Sequence, residues 1–82
     1  MDSIWETKKF KKARRDLEMS VKIAAEALNI TPEYLYMLEN GMRQPSQKLV
    51  LKMSALYSQP VTYFLKTEFN AEVKVSKMVV VN

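Results

Sequence analysis

The sequence predicts an all-α domain of five short helices, followed by one short C-terminal β-strand. Apolar residues recur every three or four positions through residues 4–65, which is the spacing of a buried helix face. Residues that cap helices interrupt this pattern repeatedly. After Thr67 the apolar period changes to two, which indicates a strand. We therefore expect a helical domain over residues 1–66 and a separate tail over residues 67–82.

The first predicted helix covers residues 4–17. Ser3 and Glu6 have the spacing of a capping box, and Phe10, Ala13 and Leu17 follow at helical spacing. The other face carries six of the 13 basic residues: Lys8, Lys9, Lys11, Lys12, Arg14 and Arg15. Such a face is either simply solvated or helps to hold a polyanion.

Two short helices joined by a tight turn come next. Ser20 is the predicted cap of the second helix, and Asn29 tolerates the left-handed conformation that ends helices. Thr31 is the predicted cap of the third helix, with Pro32 at its first position. Gly41 ends this helix where a left-handed residue is needed.

A fourth helix is predicted to begin after Ser46, and a fifth short helix covers residues 61–65. The fourth helix has a predicted buried face formed by Leu49, Val50, Met53 and either Leu56 or Tyr57.

The tail alternates apolar and polar residues over 69–75 and is apolar over 78–81. A single strand leaves its backbone groups unpaired. It therefore either pairs with the tail of a second chain or folds back on the helical core. Pairing across a dimer axis would bury Val73, Val75, Val79 and Val81.

The composition excludes most enzyme classes. The chain has no cysteine, no histidine and a single glycine, Gly41. These counts exclude disulfides, thiolate or histidine metal sites, nucleophile–histidine pairs and Gly-rich phosphate loops. We expect a protein that is not an enzyme and that uses neither a cofactor nor a metal. The net charge of +4 favours a polyanionic partner.

The N-terminus shows no signal-peptide pattern, because Met1-Asp2-Ser3 is acidic and no apolar h-region follows. The longest uninterrupted apolar run is residues 78–81, far short of the roughly 20 residues of a membrane span. We expect a cytoplasmic protein with no membrane partner.

The stretch TPEYLYMLENGMRQPS, residues 31–46, is the most specific motif of the chain. Together with the order and spacing of other positions within residues 10–65, it resembles the phage-repressor, Cro-like (xenobiotic-response-element) helix-turn-helix family. The resemblance implies a five-helix, lambda-repressor-like domain whose third helix enters the DNA major groove. The matching positions are Ser20, Ala25, Leu28, Ile30, Thr31, Tyr34, Leu35, Glu39, Asn40, Gly41, Pro45 and Ser46.

The resemblance also implies roles for particular residues. Residues expected to face the bases are Pro32, Glu33, Tyr34, Tyr36 and Met37. Residues expected to contact phosphates are Val21, Lys22, Asn40, Arg43, Gln44 and Ser46. Arg14 and Glu39 match a pair that ties the first helix to the third, which is a structural role.

The sequence departs from the family pattern within this region. Val21 occupies a position where the family often has Gln, and Tyr36 replaces a small polar residue. No Lys or Arg lies between Thr31 and Asn40, so the third helix cannot supply an Arg contact to guanine. Glu33 could accept a hydrogen bond from cytosine. Tyr34 and Tyr36 could contact thymine methyl groups or phosphate, or pack partly against neighbouring helices.

Two functions follow from these observations. The first is a sequence-specific DNA-binding transcriptional regulator, a repressor that binds a palindromic operator in double-stranded DNA as a homodimer. A protein or peptide is the candidate regulator of its activity. The alternative is a protein-interaction module, such as an antitoxin or a protein that sequesters another regulator.

Overall fold

A computed structural model of the chain describes residues 3–67. These residues form α1 (Lys8–Asp16), α2 (Val21–Leu28), α3 (Pro32–Glu39), α4 (Gln47–Tyr57) and a 3₁₀ helix (Val61–Phe64). The predicted all-α class is confirmed for this part of the chain, which contains no β-sheet. The predicted strand over 69–81, with its candidate dimerisation valines, lies outside the described residues.

Three helices begin where their caps were predicted. The hydroxyl oxygens of Ser20, Thr31 and Ser46 each accept a hydrogen bond of 3.1 Å from the backbone N–H three residues later. Each bond satisfies an N–H that the first turn of a helix leaves without a partner. Helices α2, α3 and α4 start directly after these caps, and Pro32 is the first residue of α3.

Two predicted left-handed residues are also confirmed. Asn29 ends α2 with φ of 59°, and Gly41 follows α3 with φ of 74°. A Cβ atom on Gly41 would lie 3.5 Å from Thr7 Oγ1, an ordinary contact distance. Glycine is therefore favoured at position 41 by its backbone conformation and not by lack of space.

The predicted start of α1 is wrong. The Ser3 hydroxyl accepts from the Trp5 N–H at 3.0 Å, and the Glu6 N–H donates to the Phe64 carbonyl at 2.7 Å, so no capping box forms. Trp5 is buried and makes an antiparallel bridge with Leu65. This pairing engages backbone groups of Ile4 and Glu6 with the chain at residues 64–66, and α1 begins only at Lys8.

The same bridge shortens the predicted fifth helix. It is a 3₁₀ helix that ends at Phe64, and Leu65 is extended with φ of −76° and ψ of 145°. Leu65 needs this conformation because it pairs with Trp5, and the Lys66 N–H donates to the Ile4 carbonyl at 2.9 Å.

The core lies between the helices and is closed at one end by the 3₁₀ helix. Helix α2 packs against α3 and α4, and α1 packs against α3, α4 and the 3₁₀ helix. Phe10 and Phe64 stack with ring centroids 5.1 Å apart. The predicted buried face of α4 is confirmed, with Tyr57 and not Leu56 at its end. The largest fully buried side chains are Phe10, Leu28, Leu35, Leu38, Val50, Met53, Tyr57 and Phe64.

The predicted apolar face of α1 is correct for Phe10 and Ala13 and wrong for Leu17. Leu17 follows the end of α1 and is exposed. The third buried residue of this helix is Arg14. A charged residue is buried there because it has a partner on α3.

Candidate nucleic-acid interface

Helices α2 and α3 form a helix-turn-helix unit. Only residues 29–31 separate Leu28, the last residue of α2, from Pro32, the first residue of α3. The Ile30 N–H donates to the Ala25 carbonyl at 2.9 Å, which closes the turn against the end of α2. The short connection places the helices against each other and leaves one side of α3 in solvent.

A buried ion pair ties α3 to α1. Arg14 Nε donates to Glu39 Oε2 at 2.8 Å, and Arg14 Nη2 donates to Glu39 Oε1 at 3.1 Å. Both residues are below 10% exposed, at 7% for Arg14 and 6% for Glu39. Donation of these hydrogen bonds to the Glu39 carboxylate raises the pKa of the Arg14 guanidinium. This two-point contact fixes geometry, and its burial leaves neither side chain free for a ligand.

Arg14 has a third partner, which extends the connection to the segment before α2. Its Nη1 donates to the Met19 carbonyl at 2.8 Å. One guanidinium thus holds the end of α3 and the residue before the Ser20 cap. The relative placement of α2 and α3 therefore depends on α1 as well as on the turn.

The exposed side of α3 has an unusual composition for a surface that meets DNA. Four of the five predicted base-facing residues line one open pocket: Pro32, Glu33, Tyr36 and Met37. Met42, from the loop after α3, completes it. Tyr36 is 58% exposed and Met42 is 65% exposed. We call this surface the outer α3 pocket. It is apolar apart from one carboxylate and the Tyr36 hydroxyl.

Tyr34 lies elsewhere. It is half-buried against the core and lines a second pocket with Ser46, Lys48 and Lys52. Successive residues of a helix are rotated by about 100°, which turns Tyr34 away from Glu33 and toward α4. The structure therefore separates Tyr34 from the other predicted base-facing residues.

The predicted phosphate-contacting residues lie at the start of α2 and in the loop that follows α3. Val21 is half-buried, whereas Lys22 is exposed. Arg43, Gln44 and Ser46 are all exposed. Exposed polar side chains are therefore present at the start of α2, before α3 in the chain, and beyond Gly41, after it.

Asn40 combines exposure with a structural bond. Its Nδ2 donates to the Tyr36 carbonyl at 2.8 Å, and the same carbonyl accepts the Asn40 backbone N–H at 3.1 Å. One amide hydrogen is used in this way. The Asn40 side chain is consequently held in place at the end of the helix.

Lys48 and Lys52 were not among the site residues predicted from the sequence. Both line the second pocket beside Tyr34 and Ser46, one helical turn apart on α4. Their spacing of four residues directly after a predicted helix cap was the available signal. Met42 was also left out of the predicted site, although it follows Gly41 directly.

The basic residues of α1 divide into two groups. Arg14 is buried, and Lys9 Nζ lies 4.9 Å from the centroid of the Tyr63 ring. The remaining cations line one open groove together with Asp16: Lys8, Lys11, Lys12 and Arg15. Lys12 Nζ lies 3.2 Å from Asp16 Oδ2 in an exposed pair.

No helix within residues 3–67 is long and apolar enough to cross a bilayer.

Comparison with known families agrees with this geometry. The model of the helix-turn-helix family matches residues 10–64, which are 55 of the 82 residues. A search of curated proteins and a search of solved structures gave no significant match. The matched range runs from Phe10 in α1 to Phe64 at the end of the 3₁₀ helix. The chain belongs to the Cro-like, xenobiotic-response-element helix-turn-helix family of DNA-binding transcription regulators.

Proposed function

We propose that this regulator is a repressor that binds a palindromic operator as a homodimer, with α3 of each chain in the major groove. The observation that carries the proposal is the exposed side of α3 within a helix-turn-helix unit that Arg14 and Glu39 hold rigid. A rigid unit positions a recognition helix without an ordering cost on binding.

Contacts with DNA divide between two kinds of residue in this proposal. The outer α3 pocket faces base edges, because its residues lie on the exposed side of the helix. Phosphates lie against the start of α2, where the N–H groups of Val21 and Lys22 belong to the first turn and the helix dipole favours an anion. Arg43 and Gln44 approach the backbone from the loop after α3.

Lys48 and Lys52 add a third phosphate-contacting position. Ser46 lines the same pocket, so one hydroxyl-bearing residue and two lysines contribute to its lining. Positively charged groups at this pocket suit a phosphate and carry no sequence information.

Dimerisation belongs to the tail in this proposal. Alternating residues 69–75 predict a strand, and two such strands could pair across a two-fold axis. A symmetric pair of domains places its recognition helices about 34 Å apart, which is one turn of DNA. A palindromic operator matches that symmetry.

The test of the DNA contacts uses the full chain and its Arg43→Ala variant on a selected duplex. Arg43→Ala should weaken binding to every sequence about equally. It should also reduce the slope of log affinity against log salt by about one. Arg15→Ala is the matched control, because it removes the same charge from an exposed site outside the proposed interface. Equal effects from the two variants would show a response to net charge alone. A change of sequence preference in Arg43→Ala would place this side chain at a base.

The test of the dimer places charges on alternate faces of the tail. Val73→Glu with Val75→Glu should give a monomer by analytical ultracentrifugation and weaken binding to the palindrome. Lys74→Glu with Ser76→Glu changes the other face and should leave a dimer. A dimeric valine variant would contradict this role for the tail.

One observation favours the alternative function, a protein-interaction module such as an antitoxin or a regulator-sequestering protein. The outer α3 pocket is apolar and contains a carboxylate, Glu33, but no cation. Protein interfaces tolerate such a composition well. Failure to select any duplex, together with recovery of one stoichiometric protein partner, would support this alternative. The same partner or a peptide could instead regulate DNA binding.

A further inference from the structure

We infer that the outer α3 pocket recognises the methyl groups of thymine, with Glu33 accepting a hydrogen bond from a neighbouring cytosine amino group. This inference rests on the proposed DNA binding and specifies the base chemistry of the same surface. It concerns the edges of bases in the major groove.

Helix α3 lacks the side-chain donors that usually recognise guanine. Guanine presents two acceptors in the major groove and is recognised most often by Arg or Lys. Helix α3 contains neither residue, and it contains no Gln. Asn40, which directly follows α3, uses one amide hydrogen on the Tyr36 carbonyl. The outer α3 pocket therefore has little to offer a guanine.

The lining of the outer α3 pocket is mostly apolar. Tyr36 and Met42 are more than half exposed, and Pro32 and Met37 line the same pocket. The thymine methyl group is the apolar feature that distinguishes base edges in the major groove. Contact with that group removes apolar surface from water on both sides. Methionine adapts its shape to such a contact, because its side chain is unbranched and flexible.

Glu33 gives the outer α3 pocket a negative charge. A carboxylate repels phosphates, so the DNA backbone is a poor occupant of this pocket. It also repels the two acceptors of guanine. A cytosine amino group is a donor, and Glu accepts from it in direct base contacts. Glu33 thus disfavours phosphates and guanine in the pocket and favours the amino group of cytosine.

The test uses the full chain and a duplex selected from random DNA. Each thymine of the selected site is replaced in turn by deoxyuridine, which removes only the methyl group. Affinity is measured by fluorescence anisotropy at fixed salt. We expect at least one replacement to weaken binding about three- to fivefold, the effect of one methyl group left in water. Replacement of guanine by 7-deazaguanine, which removes the N7 acceptor, should cost less than that.

Variants then assign the effect to the pocket. In Tyr36→Ala and Met42→Ala, the ratio of affinities for the thymine and uracil duplexes should fall toward one. Leu51→Ala is the matched control: Leu51 is 57% exposed on α4, nearly the same as Tyr36, and lies outside the pocket. This variant should keep the full ratio. Far-UV circular dichroism checks that each variant is folded.

These measurements distinguish thymine-methyl recognition from the DNA binding on which it depends. Tight binding that is unaffected by uracil but weakened by 7-deazaguanine would overturn the inference and leave DNA binding intact. A methyl effect that persists in both Tyr36→Ala and Met42→Ala would also overturn it. Failure to bind any duplex, with capture of a protein on the same pocket, would overturn both.

Discussion

The inner, buried side and the outer, exposed side of α3 each contain a glutamate, and the two glutamates have different roles. Glu39 is buried on the inner side and accepts two hydrogen bonds from Arg14. Glu33 is exposed on the outer side, in the first turn of the helix. One residue type on one eight-residue helix is thus a structural element at one end and a candidate base contact at the other.

The helix dipole sharpens this difference. A carboxylate near the N-terminus of a helix is stabilised, so Glu33 is favourable where it stands. Glu39 is the last residue of α3, where the dipole disfavours a negative charge, and burial adds a desolvation cost. Glu39 is tolerated because Arg14 compensates both effects. The inner side therefore depends on a partner, and the outer side does not.

The largest expected effect comes from removing that partnership. Glu39→Ala leaves the Arg14 charge buried without its carboxylate, and the free energy of unfolding should fall by about 3–5 kcal/mol. That is a large part of the stability of a domain of this size. Urea denaturation followed by circular dichroism measures the change.

The control for this prediction replaces both partners. Arg14→Met combined with Glu39→Leu removes the two charges together and should cost much less than Glu39→Ala alone. A loss below about 1 kcal/mol in Glu39→Ala would show that the pair does not hold α1 to α3.

The starts of α2, α3 and α4 were predictable from the sequence. The caps at Ser20, Thr31 and Ser46 are local signals, since each side chain bonds within its own helix. The start of α1 was not predictable in this way. Trp5 pairs with Leu65, 60 residues away, and a local capping pattern contains no information about that contact.

The outer side was predictable only in part. The exposed positions of α3 follow from its period, but Tyr34 was predicted to face the bases together with Glu33 and Tyr36. The rotation of about 100° per residue separates Tyr34 from Glu33 and Tyr36. The contribution of Met42 depends on how the chain turns at Gly41, and that of Lys48 on how α4 packs. Both are tertiary facts.

A smaller effect is expected at Tyr57, a polar residue of α4 that is buried in the core. Tyr57 is fully buried, and its hydroxyl has no hydrogen-bond partner among the described residues. Tyr57→Phe should therefore raise the free energy of unfolding by about 1 kcal/mol, because a buried polar group without a partner is removed. A decrease would show that the hydroxyl makes a favourable interaction.

The same variant should change the pH dependence of stability. Burial raises the pKa of Tyr57 to about 12 from its ordinary value of 10.0. A raised pKa contributes stability below pH 10, and this contribution is lost as the pH rises toward 12. The advantage of Tyr57→Phe over the natural protein should therefore grow across this window. Denaturation curves of both proteins at several alkaline pH values measure it.

The smallest expected effect on stability is at Glu33. Glu33→Ala removes a favourable dipole interaction from an exposed position, and the loss should be a few tenths of a kcal/mol at low salt. Glu33→Ala and Glu39→Ala are the same substitution at two positions of α3. A difference between their effects is therefore due to position and not to residue type. Base preference should respond in the opposite order, with Glu33→Ala altering the selected sequences. Similar stability losses from the two variants would remove the distinction between inner and outer sides.

The bridge between Trp5 and Leu65 has a mechanical consequence. It brings the first and last described segments side by side through two backbone hydrogen bonds. A force that separates the two ends of the domain would load these bonds before it reached any helix. Trp5 is the one tryptophan of the chain and is 8% exposed. Trp5 fluorescence should therefore report when this bridge between the two ends of the domain separates.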